Sequence, residues 1–212
     1  AVTLLRGVLF PAYSRVQDDL PKIRQVYLAS VGMTAVFLIP IFACTAVASR
    51  TVILGLYGDS WTDAVQLLAP LALAMPFRGL MSLAGPVIWG LGKVEQEVYA
   101  QIQATLVLLI LMLGTAYFSV VVLAWGVLGA NAARFCLMTR AALKLLSLSW
   151  LDLLKNLRGG LLLLAGAAPV VLSMDRGLTF IEVPALARLC CVAVSGFAAG
   201  LLIFGLWGKW LF

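Results

Sequence analysis

Long uncharged apolar runs alternate along this chain with short breaks that carry most of its charges. Positions 25–49 form the first run, flanked by Lys22 and Arg24 on one side and Arg50 on the other. This length crosses a bilayer with some tilt, and Pro40 within it is tolerable as a kink. A break at 51–63 holds Gly55, Gly58, Asp59 and Asp63, with Trp61 suited to an interfacial anchor. The second run, 64–92, is the least regular, because Pro70, Pro76 and Pro86 each lack an N–H and Arg78 stands near its middle. Lys93, Glu95 and Glu97 close it.

Positions 99–133 carry no charge. One helix of that length would run to about 50 Å against a hydrocarbon core of about 30 Å, so the stretch is predicted to fold back as a hairpin. The turn is expected between 117 and 126, where Tyr117, Ser119, Trp125 and Gly126 gather. In 140–158, Arg140, Lys144, Ser147, Lys155 and Arg158 recur at steps of three and four, interrupted at Leu151. That pattern predicts a basic amphipathic helix lying in the headgroup plane. A short fifth run at 159–174, a polar break at 175–188 and a sixth run at 189–208 complete the chain.

The fold class is therefore all-α, a polytopic transmembrane helical bundle of about six spans. Its parts are 1–24, the end of a truncated helix plus a loop; 25–139, a four-helix unit; 140–158, an interfacial linker; and 159–212, a final helix pair. The chain opens on Ala1 and an apolar tail ended by Pro11, with no basic leader region before it, which reads as a piece of a longer protein.

Composition agrees: 63% of residues are hydrophobic and 11% charged, far from the balance of a water-facing surface. The net charge of +6 sits in the breaks rather than on one soluble face, so nucleic acid is not the implied partner. Arg6, Arg15, Lys22, Arg24, Lys93, Arg140, Lys144, Lys155, Arg158 and Lys209 fall on the side of the N-terminus. Only Arg50, Arg176 and Arg188 fall opposite, a split of ten to three that places both ends of the chain in the cytoplasm.

Histidine is absent, and no phosphate loop, nucleophile elbow or zinc-protease motif occurs, so no enzyme and no cofactor or metal is expected. Cys44, Cys136, Cys190 and Cys191 lie in or beside apolar runs and read as small buried hydrophobes. A charged group at membrane depth is costly and marks function by default. Arg78, next to Pro76 and Gly79, is the first candidate, a guanidinium on a cavity wall able to hold a phosphate bidentately. Arg134 is the second, set about one turn from the inner end of its helix, with Asn131 below it as a packing or cavity group. No carboxylate is expected inside a span, which argues against an ion-coupling residue in this part of the chain. Gly196 and Gly200 form a helix-packing GxxxG.

One set of short segments is recognisable. Val8-Leu9-Phe10-Pro11-Ala12-Tyr13-Ser14-Arg15, Gln17-Asp18-Asp19 and Lys22-Ile23-Arg24 resemble the first cytoplasmic stretch in bacterial polysaccharide-exporter flippases of the multidrug/oligosaccharidyl-lipid/polysaccharide superfamily. Leu56-Tyr57-Gly58-Asp59-Ser60-Trp61, Gly90-Leu91-Gly92-Lys93 and the stretch from Leu146 to Leu154 are similar to further elements of that family. The resemblance implies the C-terminal lobe of a MATE-like two-lobe transporter in the bacterial inner membrane. It implies translocation of an undecaprenyl-diphosphate-linked oligosaccharide, with membrane lipids and polysaccharide polymerase machinery as partners. It transfers no substrate residue, because the family's cationic cavity is lined by helices upstream of Ala1. The alternatives are a cation-coupled multidrug exporter of the same superfamily and a non-transporting scaffold of glycan assembly.

Overall fold

The computed structural model describes residues 19–180, Pro184, 187–196, Ala198 and Gly200. The apolar tail before Pro11, Arg6, Arg15, Lys209 and most of the sixth run beyond Gly196 lie outside the described residues. Every regular element among the described residues is helical, and five helical stretches are long and apolar enough to span a membrane. The chain is a multi-pass helical membrane protein.

The first span, α1 (Leu20–Val47), starts where the Asp19 carboxylate accepts from the Lys22 N–H at 3.1 Å, with Pro21 in the first turn. Pro40 sits inside it without ending it. After Ala48 the chain continues as α2 (Ser49–Tyr57), and Gly58, at φ 80°, turns it into a 3-10 segment over Asp59–Ala64. Trp61 stands exposed there, 5.6 Å from the Tyr57 ring, as an interfacial anchor should.

The return span is α3 (Val65–Met81) followed by α4 (Ala84–Gly90). Pro70 and Pro76 lie within α3, and the interruption falls at Ser82–Leu83. Pro86 accounts for it: its ring has no N–H to give the Ser82 carbonyl one turn back and crowds that carbonyl. Ser82 and Leu83 bond instead to carbonyls three residues back, and the Ser82 hydroxyl donates to the Gly79 carbonyl at 2.6 Å.

The long uncharged stretch is a hairpin of α5 (Val94–Ala116) and α6 (Val120–Leu146), its turn at the N-terminal edge of the expected window. Ser119 caps α6 by accepting from the Val122 N–H. Gly126 lets the two arms close on Thr115.

The linker expected at 140–158 is not one helix in the plane of the membrane. Its first part is the inner end of α6 and its second part opens α7 (Trp150–Phe180), so α7 takes in the predicted fifth run and continues through Asp175 and Arg176. Two local signals make the break. Ser147 adopts the left-handed conformation at φ 50°, and the Leu148 N–H reaches back to the Leu143 carbonyl at 3.0 Å, a Schellman closure. Ser149 and Asp152 then form a reciprocal capping box that starts α7. The basic residues thus lie at the adjoining ends of two spans. Beyond α7 lies α8, described over Ala187–Gly196.

The largest core cluster joins α1, α3, α4, α5, α6 and α7 through Tyr27, Leu80, Val87, Ala100, Leu146 and Leu153. Outward-facing Phe37, Ile41, Ile110, Leu113 and Val194 are more than half exposed, as lipid-facing side chains of such a bundle are. Cys136, Cys190 and Cys191 are exposed as well and Cys44 is half-buried, so the cysteines are not the buried packing residues the apolar runs suggested.

The α1–α7 seam is built on small residues. A Cβ placed on Gly160 would stand 2.5 Å from the Ala35 carbonyl oxygen, and one on Gly32 would stand 3.3 Å from the Asn156 oxygen. Position 32 meets 156 and position 35 meets 160, so the two helices run parallel. Backbones this close are the membrane solution to packing without a hydrophobic driving force.

Candidate functional site

Arg78 and Arg134 come to one level of the bundle. Helix α3 starts at the end of the bundle where α2 lies and carries Arg78 about 20 Å along its axis; α6 starts at the same end and carries Arg134 about 21 Å along. Their sequence neighbours close the geometry: the rings of Phe77 and Phe135 pack at 5.7 Å, tilted by 55°, across the α3–α6 contact. The pair is therefore set by adjacent helices that happen to share depth, not by any sequence motif.

The two differ in environment. Arg78 is exposed on α3, so a cavity wall at that position requires a further element opposite it. Arg134 is half-buried, and its Nε is fully buried with no hydrogen-bond acceptor among the described residues. Its helix continues to Leu146, about 18 Å further, rather than ending one turn beyond. Snorkelling over one turn does not describe it. Neither arginine forms an ion pair among the described residues. Asn131 donates to the Val127 carbonyl at 2.8 Å, a bond within its own helix rather than one across to a neighbour.

A second polar cluster was not legible in the sequence. Asp175, expected in a break, lies on α7 near its end at Phe180 and accepts the Thr51 hydroxyl of α2, which follows the end of the first span at Val47. Arg188 of α8 places its Nε 4.0 Å from the same carboxylate oxygen. Thr51 is completely buried and Arg188 is 8% exposed. α7 thus extends further than its apolar run and carries Asp175 close to its far end.

Two grooves lie on the surface of the described residues. One, of about 420 Å³, is lined by Trp89, Glu97, Gln101 and Thr105 beside the inner end of α5. The other, of about 480 Å³, is lined by Phe37, Pro40, Cys44, Ala167, Val171 and Val192, between α1, α7 and α8. Neither contains Arg78 or Arg134. Among the described residues no group of three or more acidic or cysteine side chains could hold a metal ion.

Fold and site together define a multi-pass helical membrane protein with basic groups at depth. Residues 2–66 match a family described as polysaccharide biosynthesis protein, which together with the spans supports a membrane protein of polysaccharide biosynthesis. No curated protein and no solved structure matches the chain.

Proposed function

We propose that this chain is the C-terminal part of a flippase that carries a lipid-linked oligosaccharide from the inner to the outer leaflet for surface polysaccharide assembly. The observation that carries the reading is the pair Arg78 and Arg134, at one depth on adjacent helices, without a carboxylate partner among the described residues. Guanidinium groups at depth call for an anion, and a diphosphate offers oxygens for bidentate capture by both. The match of residues 2–66 to polysaccharide biosynthesis supplies the class of cargo. The ten-to-three distribution of basic residues supports an inner membrane with the Ser147–Ser149 turn in the cytoplasm. The chain acts by binding and movement rather than by bond chemistry, with an upstream lobe facing Arg78 and polymerase machinery receiving the cargo.

A cation-coupled drug exporter would need an open carboxylate at depth, and Asp175 is already engaged by Thr51 and Arg188. The test is Arg78→Gln and Arg134→Gln, singly and together, in the full-length protein. Losing a charge-assisted hydrogen bond of about 1.5–3 kcal/mol corresponds to roughly a 10- to 100-fold fall in surface polymer at normal protein level. Unchanged polymer in the double variant would remove the arginines from the mechanism.

A further inference from the structure

Helix α7 has two unlike sides. One is the buried row Leu153, Leu157, Gly160 and Leu163, which packs on α1 and the core. The other carries Leu151, Leu154, Leu161 and Leu162, each about half exposed or more, as lipid-facing leucines are. Two exposed cations, Lys155 and Arg158, stand among these leucines. Neither forms a hydrogen bond or an ion pair among the described residues. Asp152, one turn before Lys155, attracts it only at a distance, because its carboxylate is held by the Ser149 N–H and hydroxyl at 3.0 and 2.9 Å. A cation bordered by acyl chains calls for an anion.

Helix length says which anion is there. The 31 residues of α7 run about 46 Å, about 16 Å more than the hydrocarbon thickness. With equal overhang at both ends, the hydrocarbon boundary falls about 8 Å from Trp150, and Lys155 and Arg158 stand about 8 and 12 Å along the axis. Lys155 is therefore at phosphate level, and Arg158, three residues on and on the same face, reaches that level with its long stem. We propose that Lys155 and Arg158 hold the phosphate of one anionic phospholipid, with Leu154, Leu161 and Leu162 against its acyl chains and the Trp150 indole in the interface above. Helix α6 shows that charge alone does not make such a seat. Arg140 and Lys144 are exposed near its end, yet no large apolar side chain after Trp125 on α6 is exposed, so an acyl chain has nothing to lie on. The bound lipid neutralises two charges that border acyl chains. It also fixes how far this end of α7 sits in the membrane, on the side of the helix opposite the Gly160 seam. The proposal stands independently of the cargo and of the direction of transport.

The test counts bound lipid rather than transport. The full-length protein in detergent micelles is titrated with equal amounts of dioleoyl phosphatidylglycerol and dioleoyl phosphatidylcholine, and the lipids it retains are weighed by native mass spectrometry. The parent protein should retain one phosphatidylglycerol in preference. Lys155→Gln and Arg158→Gln should each weaken that preference about fivefold, and the double variant about 30-fold. Arg140→Gln with Lys144→Gln removes the same charge and should leave the preference intact, as should the exchange of Lys155→Arg with Arg158→Lys. Millimolar inorganic phosphate should not displace the lipid. The proposal is overturned by a parent without preference, by a preference that survives in the α7 double variant, by an equal loss in the α6 pair, or by displacement with inorganic phosphate. If the α7 double variant does not accumulate, the single variants decide, and full preference in both overturns the proposal as well.

Discussion

Replacing Gly160 with alanine adds one methyl group at the point where α1 and α7 come closest. The new Cβ would lie 2.5 Å from the Ala35 oxygen and 2.8 Å from its carbonyl carbon. That is roughly 1 Å inside the 3.5–4.0 Å at which such atoms attract. Both obstructing atoms are backbone, so no side-chain rotation relieves the clash and the helices themselves must part. Overpacking of this kind costs about 1–3 kcal/mol, while exchanging glycine for alanine in a helix returns about 1 kcal/mol. The steric term wins, with a net loss of up to about 2 kcal/mol. Gly177→Ala is the matched control: it gains the same propensity on the same helix, and nothing lies within 4 Å of its Cβ. Reversible unfolding in mixed micelles, followed by tryptophan fluorescence, should show Gly160→Ala less stable and Gly177→Ala equal or more stable than the parent. Equal stability of the two variants would refute the claim that this seam is set by backbone contact.

Ser147 holds a left-handed conformation that favours glycine, so Ser147→Gly is expected to stabilise the protein by roughly 1 kcal/mol and Ser147→Val to destabilise it, in the same unfolding assay. Single cysteines at Phe118 and Ser149, in a background lacking the native four, should react with a membrane-impermeant maleimide from opposite sides. Phe118 is expected to label in intact cells and Ser149 only after permeabilisation; the reverse result would invert the topology.

Spans and turns were legible because charge marks where a helix may leave lipid. The uncharged 99–133 stretch could only be a hairpin, and Ser119 as a cap explains why its turn sits early in the expected window. The split of 140–158 escaped the periodicity reading because both halves present basic residues at helical spacing. The signal that divides them, Ser149-x-x-Asp152 behind a left-handed Ser147, is local capping chemistry rather than hydropathy. Of the three prolines in the second run, α3 absorbs Pro70 and Pro76, and Pro86 interrupts the helix at Ser82. The shared depth of Arg78 and Arg134 and the meeting of Thr51 with Asp175 depend on which helices are neighbours. No spacing along one chain encodes that.

Thr51 and Asp175 are 124 positions apart, which sets a schedule for making the protein. At roughly 5–20 residues per second, α2 waits roughly 6–25 seconds in the membrane before its partner is synthesised. A threonine tolerates the delay, because its hydroxyl can donate to the carbonyl one turn back until the carboxylate arrives. Arg50, its exposed neighbour, can reach water through the same interval, whereas position 51 is completely buried in the finished fold. The acid comes late, on α7, with its basic companion on the very next helix. The order of the three residues along the gene thus leaves the burial of Thr51 to a late step of assembly.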